Sequence, residues 1–262
     1  MAAGVVNRTL VAIGVTAVVL CGVNVPTGAW SQQGQQQQAN QKEKEQQKAK
    51  KTQDQDKQRA QKKKEQEQQR LIGRQEQRLA QYRDHLEQQQ RVAREHSAHL
   101  QQQNRRAQYG YQQQYVEGLR QQQWRIQIHG SYDYGRDPYF YTAPSYRYFR
   151  GGRYHETNQY GVNLLRQSVN AGYQQGRLAG LADRQDRWPF GYRDSYAYQD
   201  ANYGYGGFYV DRDDYNNYFR EGFRRGYEDG YYERHQYGTH ADGSTSILGA
   251  ELGVILNIEP IR

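Results

Sequence analysis

Few side chains in this sequence stand where chemistry would need them. His96 and His99 lie three residues apart and would share one face of a helix, as two ligands of a metal ion can, but no third ligand accompanies them. Asp211, Asp213 and Asp214 resemble the start of a calcium loop, yet the glycine and closing glutamate of such a loop are missing at the required spacing. They read better as acids at the positive end of a helix. A Gly-x-Ser-x-Gly elbow, a His-Glu-x-x-His helix and a phosphate-cradling glycine loop before a lysine are all lacking. The sole cysteine is Cys21. The sequence therefore predicts no catalytic residue, no cofactor and no metal ligand, and the expected protein is not an enzyme.

The remaining chemistry is charge. All nine lysines fall within residues 42–64, with clusters at Lys50 and Lys51 and at Lys62, Lys63 and Lys64. Residues 32–108 hold 18 Lys+Arg against 10 Asp+Glu, while residues 109–262 hold 17 Arg against 18 acids. The formal net charge of +8 thus belongs to one arm. Such an arm attracts polyanions by counterion release, so those five lysines are candidate contacts for an anionic surface or polymer. Nucleic acid is the disfavoured polyanion, because no aromatic residues interleave with the lysines to stack on bases.

Several elements must carry these residues. Residues 1–29 read as a signal peptide: Arg8, an apolar run over 10–23, and small residues before a cleavage point near Ala29. The run is too short to span a bilayer as a helix. Leu20 before Cys21 argues against lipidation, and cleavage would leave a mature chain without thiols. A periplasmic or secreted bacterial protein follows.

Residues 30–70 are expected to form a frayed or disordered Gln/Lys-rich arm, and 71–125 a long polar helix. In the latter, Ile72, Leu79, Leu86, Ala93, Leu100 and Ala107 recur every seven residues, while the partner positions Gln75, Tyr82, Gln89, His96 and Gln103 are mostly polar. The pattern suits a weak coiled coil and self-association through 71–107. Residues 126–158 form a Tyr-rich extended segment, with Trp124 to Ile128 alternating like a strand and Gly151-Gly152 closing the aromatic stretch.

The clearest organisation lies in 159–236. Segments 165–184 and 215–234 align at an offset of 50 residues, matching Gly172, Gly176 and Gly180 with Gly222, Gly226 and Gly230. A spacing of four keeps glycines on one side of a helix. Each glycine costs a helix about 1 kcal/mol relative to alanine, so close backbone approach between the two helices must offset it. The expected module is a helical hairpin of GxxxGxxxG helices with Tyr-rich irregular connections, within a mainly α protein. Trp188-Pro189 would end the first helix. Residues 237–262 supply an apolar segment in which Leu248, Leu252 and Leu256 share a face, N-capped from 244–246 and laid over the helix pair.

The run Tyr-Arg-Tyr-Phe-Arg-Gly-Gly-Arg-Tyr over 146–154, then Asn-Gln-Tyr-Gly over 158–161, then Phe-Arg-Glu-Gly-Phe-Arg-Arg-Gly-Tyr-Glu-Asp-Gly-Tyr over 219–231 resembles Tyr/Gly/Arg-rich exported proteins of soil bacteria. The resemblance covers the C-terminal part of the chain, about the last 120 residues. It implies export and a compact helical module and brings no activity with it. The expected function is that of an exported structural or adaptor protein of the envelope, its basic arm touching an anionic surface or a partner helix. The alternative is a polysaccharide-binding module that uses the Tyr-rich surface.

Overall fold

A computed structural model describes residues 31–128, 132–137, 139–241 and 244–261; the leader expected over 1–29 lies outside the described residues. In chain order the elements are α1 (Ser31–Gln102), α2 (Arg106–Ile128), β1 (Tyr146–Arg150), β2 (Arg153–Thr157), α3 (Gln159–Gln185), a 3-10 turn (Tyr192–Asp194), α4 (Tyr196–Asp200), α5 (Arg212–Tyr231), β3 (Gly238–Ala241), β4 (Ser244–Ile247), α6 (Gly249–Leu256) and β5 (Ile258–Pro260). The protein is mainly helical. No helix of the described residues is long and apolar enough to cross a membrane.

The chain divides into two units, Met1–Lys62 and Lys63–Arg262. In the first, residues 31–62 are helical and the side chains of 42–62 are all exposed. Gln, Lys, Glu and Ala are good helix formers, and without an apolar stripe they have nothing to bury.

In the second unit α1 acquires a buried face. Gln75, Tyr82, Leu86, Ala93 and Leu100 are all buried. The seven-residue seam expected to join a partner helix is thus consumed inside the chain: Tyr82 meets Tyr205 edge-on at 4.9 Å, and Leu79 abuts Gly207. The polar seam positions are no defect, because each has a partner. Gln75 donates to the Gly207 carbonyl, Tyr82 accepts from Gln122, the Gln89 carbonyl accepts from the Tyr196 hydroxyl at 3.2 Å, and His96 is bonded through both ring nitrogens.

Two further expectations do not hold. The polar helix is broken at 103–105, where Asn104 takes a left-handed φ of 57° and Arg105 turns inward. The side chain of Asp186 then accepts from the Ala107 and Gln108 amides, both at 2.9 Å, and so satisfies the start of α2. Trp124 and the residues after it, which alternate like a strand, form the last turn of α2. Five residues of alternation also fit a helix end.

Side by side, α3 and α5 form the centre of the fold. A Cβ added to Gly172, Gly176 or Gly180 would fall on the backbone carbonyls of Phe219, Phe223 and Tyr227, respectively. Conversely, one added to Gly222, Gly226 or Gly230 would fall on those of Val169, Tyr173 and Arg177. The partners on both helices ascend together, so the two helices run parallel, and the expected hairpin is corrected. A hairpin needs a connection of about 2–8 residues. Residues 186–211 instead carry the chain back along the pair, through the 3-10 turn and α4.

Leu165, Val169, Tyr173, Phe219, Phe223 and Tyr227 are fully or almost fully buried around this contact. Burying one such side chain returns about 1.5–3 kcal/mol, more than each glycine costs. Phe219, Phe223, Tyr227 and Tyr231 stack down α5 at 6.1–6.3 Å.

Two small sheets flank the pair. One has the order β2-β1-β5, all antiparallel, so the C-terminal strand completes it; the other is β3-β4. The apolar tail is therefore only part helix. Residues 244–246, expected as an N-cap, lie in β4, and the N-cap of α6 is Leu248, which offers no side-chain cap. Leu256 is buried, whereas Leu248 is 38% and Val254 72% exposed, so the tail covers the core with one end only.

Candidate functional site

A cavity of about 240 Å³ opens between α1, the β1–β2 hairpin and the start of α5. The hairpin is built by Gly151 and Gly152, whose φ values of 57° and 81° match the twist of a two-residue turn. That turn fixes the register, with Tyr148 opposite His155, Phe149 opposite Tyr154 and Arg150 opposite Arg153. Alternation then separates two faces. Phe149 and Tyr154 stand about half exposed on the outside, while Arg150, Arg153 and His155 line the cavity. Arg78 of α1 and Arg212 of α5 complete a wall of four guanidinium groups, and Tyr82 and Tyr205 form its floor.

Beneath the wall lies Asp214, in the first turn of α5 and 1% exposed. It accepts from the Tyr148 hydroxyl, pairs with Arg150, and faces Nδ1 of His155 at 3.6 Å. The His155 ring stacks on Tyr148 at 5.2 Å. Burial, reinforced by the hydrogen bond to Asp214, raises the Tyr148 phenol far above its ordinary range. Of the three acids expected at the helix start, Asp211 does occupy the N-cap, but its side chain makes no capping bond and accepts from Arg78 at 2.6 Å instead. Asp213 sits 3.9 Å from Arg212.

The sequence-predicted residues lie elsewhere. Lys50, Lys51, Lys62, Lys63 and Lys64 are exposed on α1, and among the described residues no carboxylate lies within 4.0 Å of any of them. The six glycines Gly172, Gly176, Gly180, Gly222, Gly226 and Gly230 meet at the α3–α5 contact and touch no cavity. His96 and His99 are not brought together around an ion: His96 binds Gln112 at 2.5 Å and the Asp194 carbonyl at 3.0 Å, and His99 binds Gln103 at 2.9 Å. No cluster of three metal-ligating side chains occurs among the described residues.

Sequence reasoning missed the arginine wall because its members come from positions 78, 150, 153 and 212, joined only by the fold. Arg150 and Arg153 alone carried a signal: two arginines flanking a Gly-Gly turn must face each other. No family model, curated protein or solved structure matches this chain.

Proposed function

We propose that this is a non-catalytic, exported envelope protein of structural or adaptor type, whose lysine-bearing helix contacts an anionic surface or polymer. One observation carries the reading. Every side chain over 42–67 is exposed and the lysines there have no carboxylate partner among the described residues, whereas further along the same helix residues such as Tyr82, Leu86 and Leu100 are buried. The lysine run is available to a partner, and the seam is not. Burial of Tyr82, Leu86, Ala93 and Leu100 within the chain weighs against self-association through 71–107. Periplasmic or secreted placement rests on the leader sequence.

The test is retention of the full chain on vesicles containing anionic lipid, or on an acidic polymer, as salt is raised. A lysine near an anionic membrane contributes about 1 kcal/mol, or roughly fivefold in affinity. Replacing Lys50, Lys51, Lys62, Lys63 and Lys64 by Gln should abolish retention at moderate salt, and unchanged retention would refute the reading.

A second reading, polysaccharide binding on the Tyr-rich surface, is supported by exposed aromatic pairs. Phe149 and Tyr154 meet at 5.2 Å with the Arg147 guanidinium 4.5 Å above Tyr154. Phe190 and Tyr232 stack at 5.6 Å and are 40% and 50% exposed. Retention on a neutral polysaccharide that survives the lysine substitutions would favour this reading.

A further inference from the structure

We propose that the cavity under the β1–β2 hairpin binds one oxyanion, the carboxylate or phosphate group of a compact ligand. The inference stands apart from the lysine arm.

The hairpin holds an arrangement it should resist. Arg150 and Arg153 are directly opposite each other on antiparallel strands, and like charges so placed are destabilising. Arg78 and Arg212 add two more cations from facing elements.

The carboxylates around the wall do not balance it. Asp211 takes Arg78, Asp214 takes Arg150, and Asp213 reaches Arg212 only at 3.9 Å. Arg153 has no carboxylate within 4.0 Å among the described residues. Among the described residues its one side-chain hydrogen bond runs from Nε to Nε2 of His155 at 3.3 Å. That bond makes Nε2 an acceptor, which places the imidazole proton on Nδ1, the nitrogen facing Asp214. Both terminal nitrogens of Arg153 therefore retain their donors.

A guanidinium offering a free planar fork is matched best by a carboxylate or phosphate, which it grips with two parallel hydrogen bonds. The size fits as well. At about 240 Å³ the cavity is smaller than the roughly 300–1,000 Å³ of sites for drug-sized ligands, so the ligand is compact. Asp211, exposed and diverted from capping its own helix, is the group an incoming anion would displace from Arg78.

Calorimetric titration of the full chain at constant ionic strength tests the proposal, using inorganic phosphate, glucuronate, glucose 6-phosphate and glucose as probes. Saturable one-to-one binding of at least one anion, with none for glucose, is expected. Preference between glucuronate and the phosphates then identifies the group. Arg153→Ala should weaken binding at least tenfold and Arg153→Lys should restore only part of it, with the circular dichroism spectrum unchanged. The variant with the five arm lysines replaced by Gln should bind as the parent does, which separates this site from the arm. The proposal is overturned if no anion saturates, if glucose binds equally, if Arg153→Ala binds normally, or if the lysine variant loses binding.

Discussion

Tyr173 and Tyr227 show how a tyrosine-rich sequence builds a core that phenylalanine alone could not. Each places its ring at the helix contact and sends its hydroxyl to a carboxylate of the other helix: Tyr173 donates to Asp229 at 2.7 Å and Tyr227 to Asp183 at 2.5 Å. A buried carboxylate is costly unless it is paired or well hydrogen-bonded. Asp229 is fully buried and also accepts the Gln236 and Tyr237 amides at 3.0 and 2.9 Å. Asp183 pairs with Arg105, whose guanidinium lies 4.3 Å over the Trp188 ring. Even so, burial holds the Asp183 carboxyl above its usual range, against the pull of Tyr227 and Arg105. Asp229→Ala would leave a hydroxyl and two amides without partners. At about 1–3 kcal/mol for each buried orphan, the variant should lose at least about 3 kcal/mol in denaturant unfolding. A loss below about 1 kcal/mol would mean that this network is not structural.

At the scale of elements, part of the fold was legible and part was not, for physical reasons. Glycines four apart mark a helix face whatever the surroundings, so the contact surface could be read from 172–180 and 222–230. Their spacing is the same read in either direction, so it does not say whether the helices run parallel. The length of the connection over 186–211 did carry that information, since a hairpin has no use for so long a return. The tail misled for a different reason. Its apolar run over 247–256 is continuous, and only the pairing of Gly238 with Ile247 gives its start to a strand and leaves the rest to α6. The heptad seam was legible as buried, but not as buried within its own chain, because tyrosines at 196 and 205 supply the partner surface. The anion site lay beyond local reading altogether, since its charge balance exists only after four elements converge.

For the molecule as a whole, charge and aromatic content are segregated. Lysine sits where nothing is buried, and all 25 tyrosines lie in the second unit. That distribution makes the fold sensitive to alkali. Burial raises the phenols of Tyr132 and Tyr218 to about 12, and pushes those of Tyr173, Tyr196, Tyr215 and Tyr227 higher still. The ordinary tyrosine value is 10.0, so the folded state holds these protons more tightly than the unfolded chain does. The stability they contribute is therefore intact below pH 10 and is lost as pH rises through their folded values. Tyrosinate absorbance should show the buried phenols ionising only well above pH 10, in a cooperative step with loss of helical circular dichroism. A single non-cooperative titration near 10 would contradict the buried aromatic core.

The paired glycine helices are the claim on which the rest stands, and two alanine substitutions probe them. Gly73 lies on α1 with open space around its Cβ position, whereas a Cβ at Gly226 would strike the Tyr173 backbone. Denaturant unfolding of Gly73→Ala and Gly226→Ala should move in opposite directions. The first should gain about 1 kcal/mol from helix propensity, and the second should lose about 3 kcal/mol or more from overpacking against backbone. Equal gains in both variants would show that α3 and α5 do not touch.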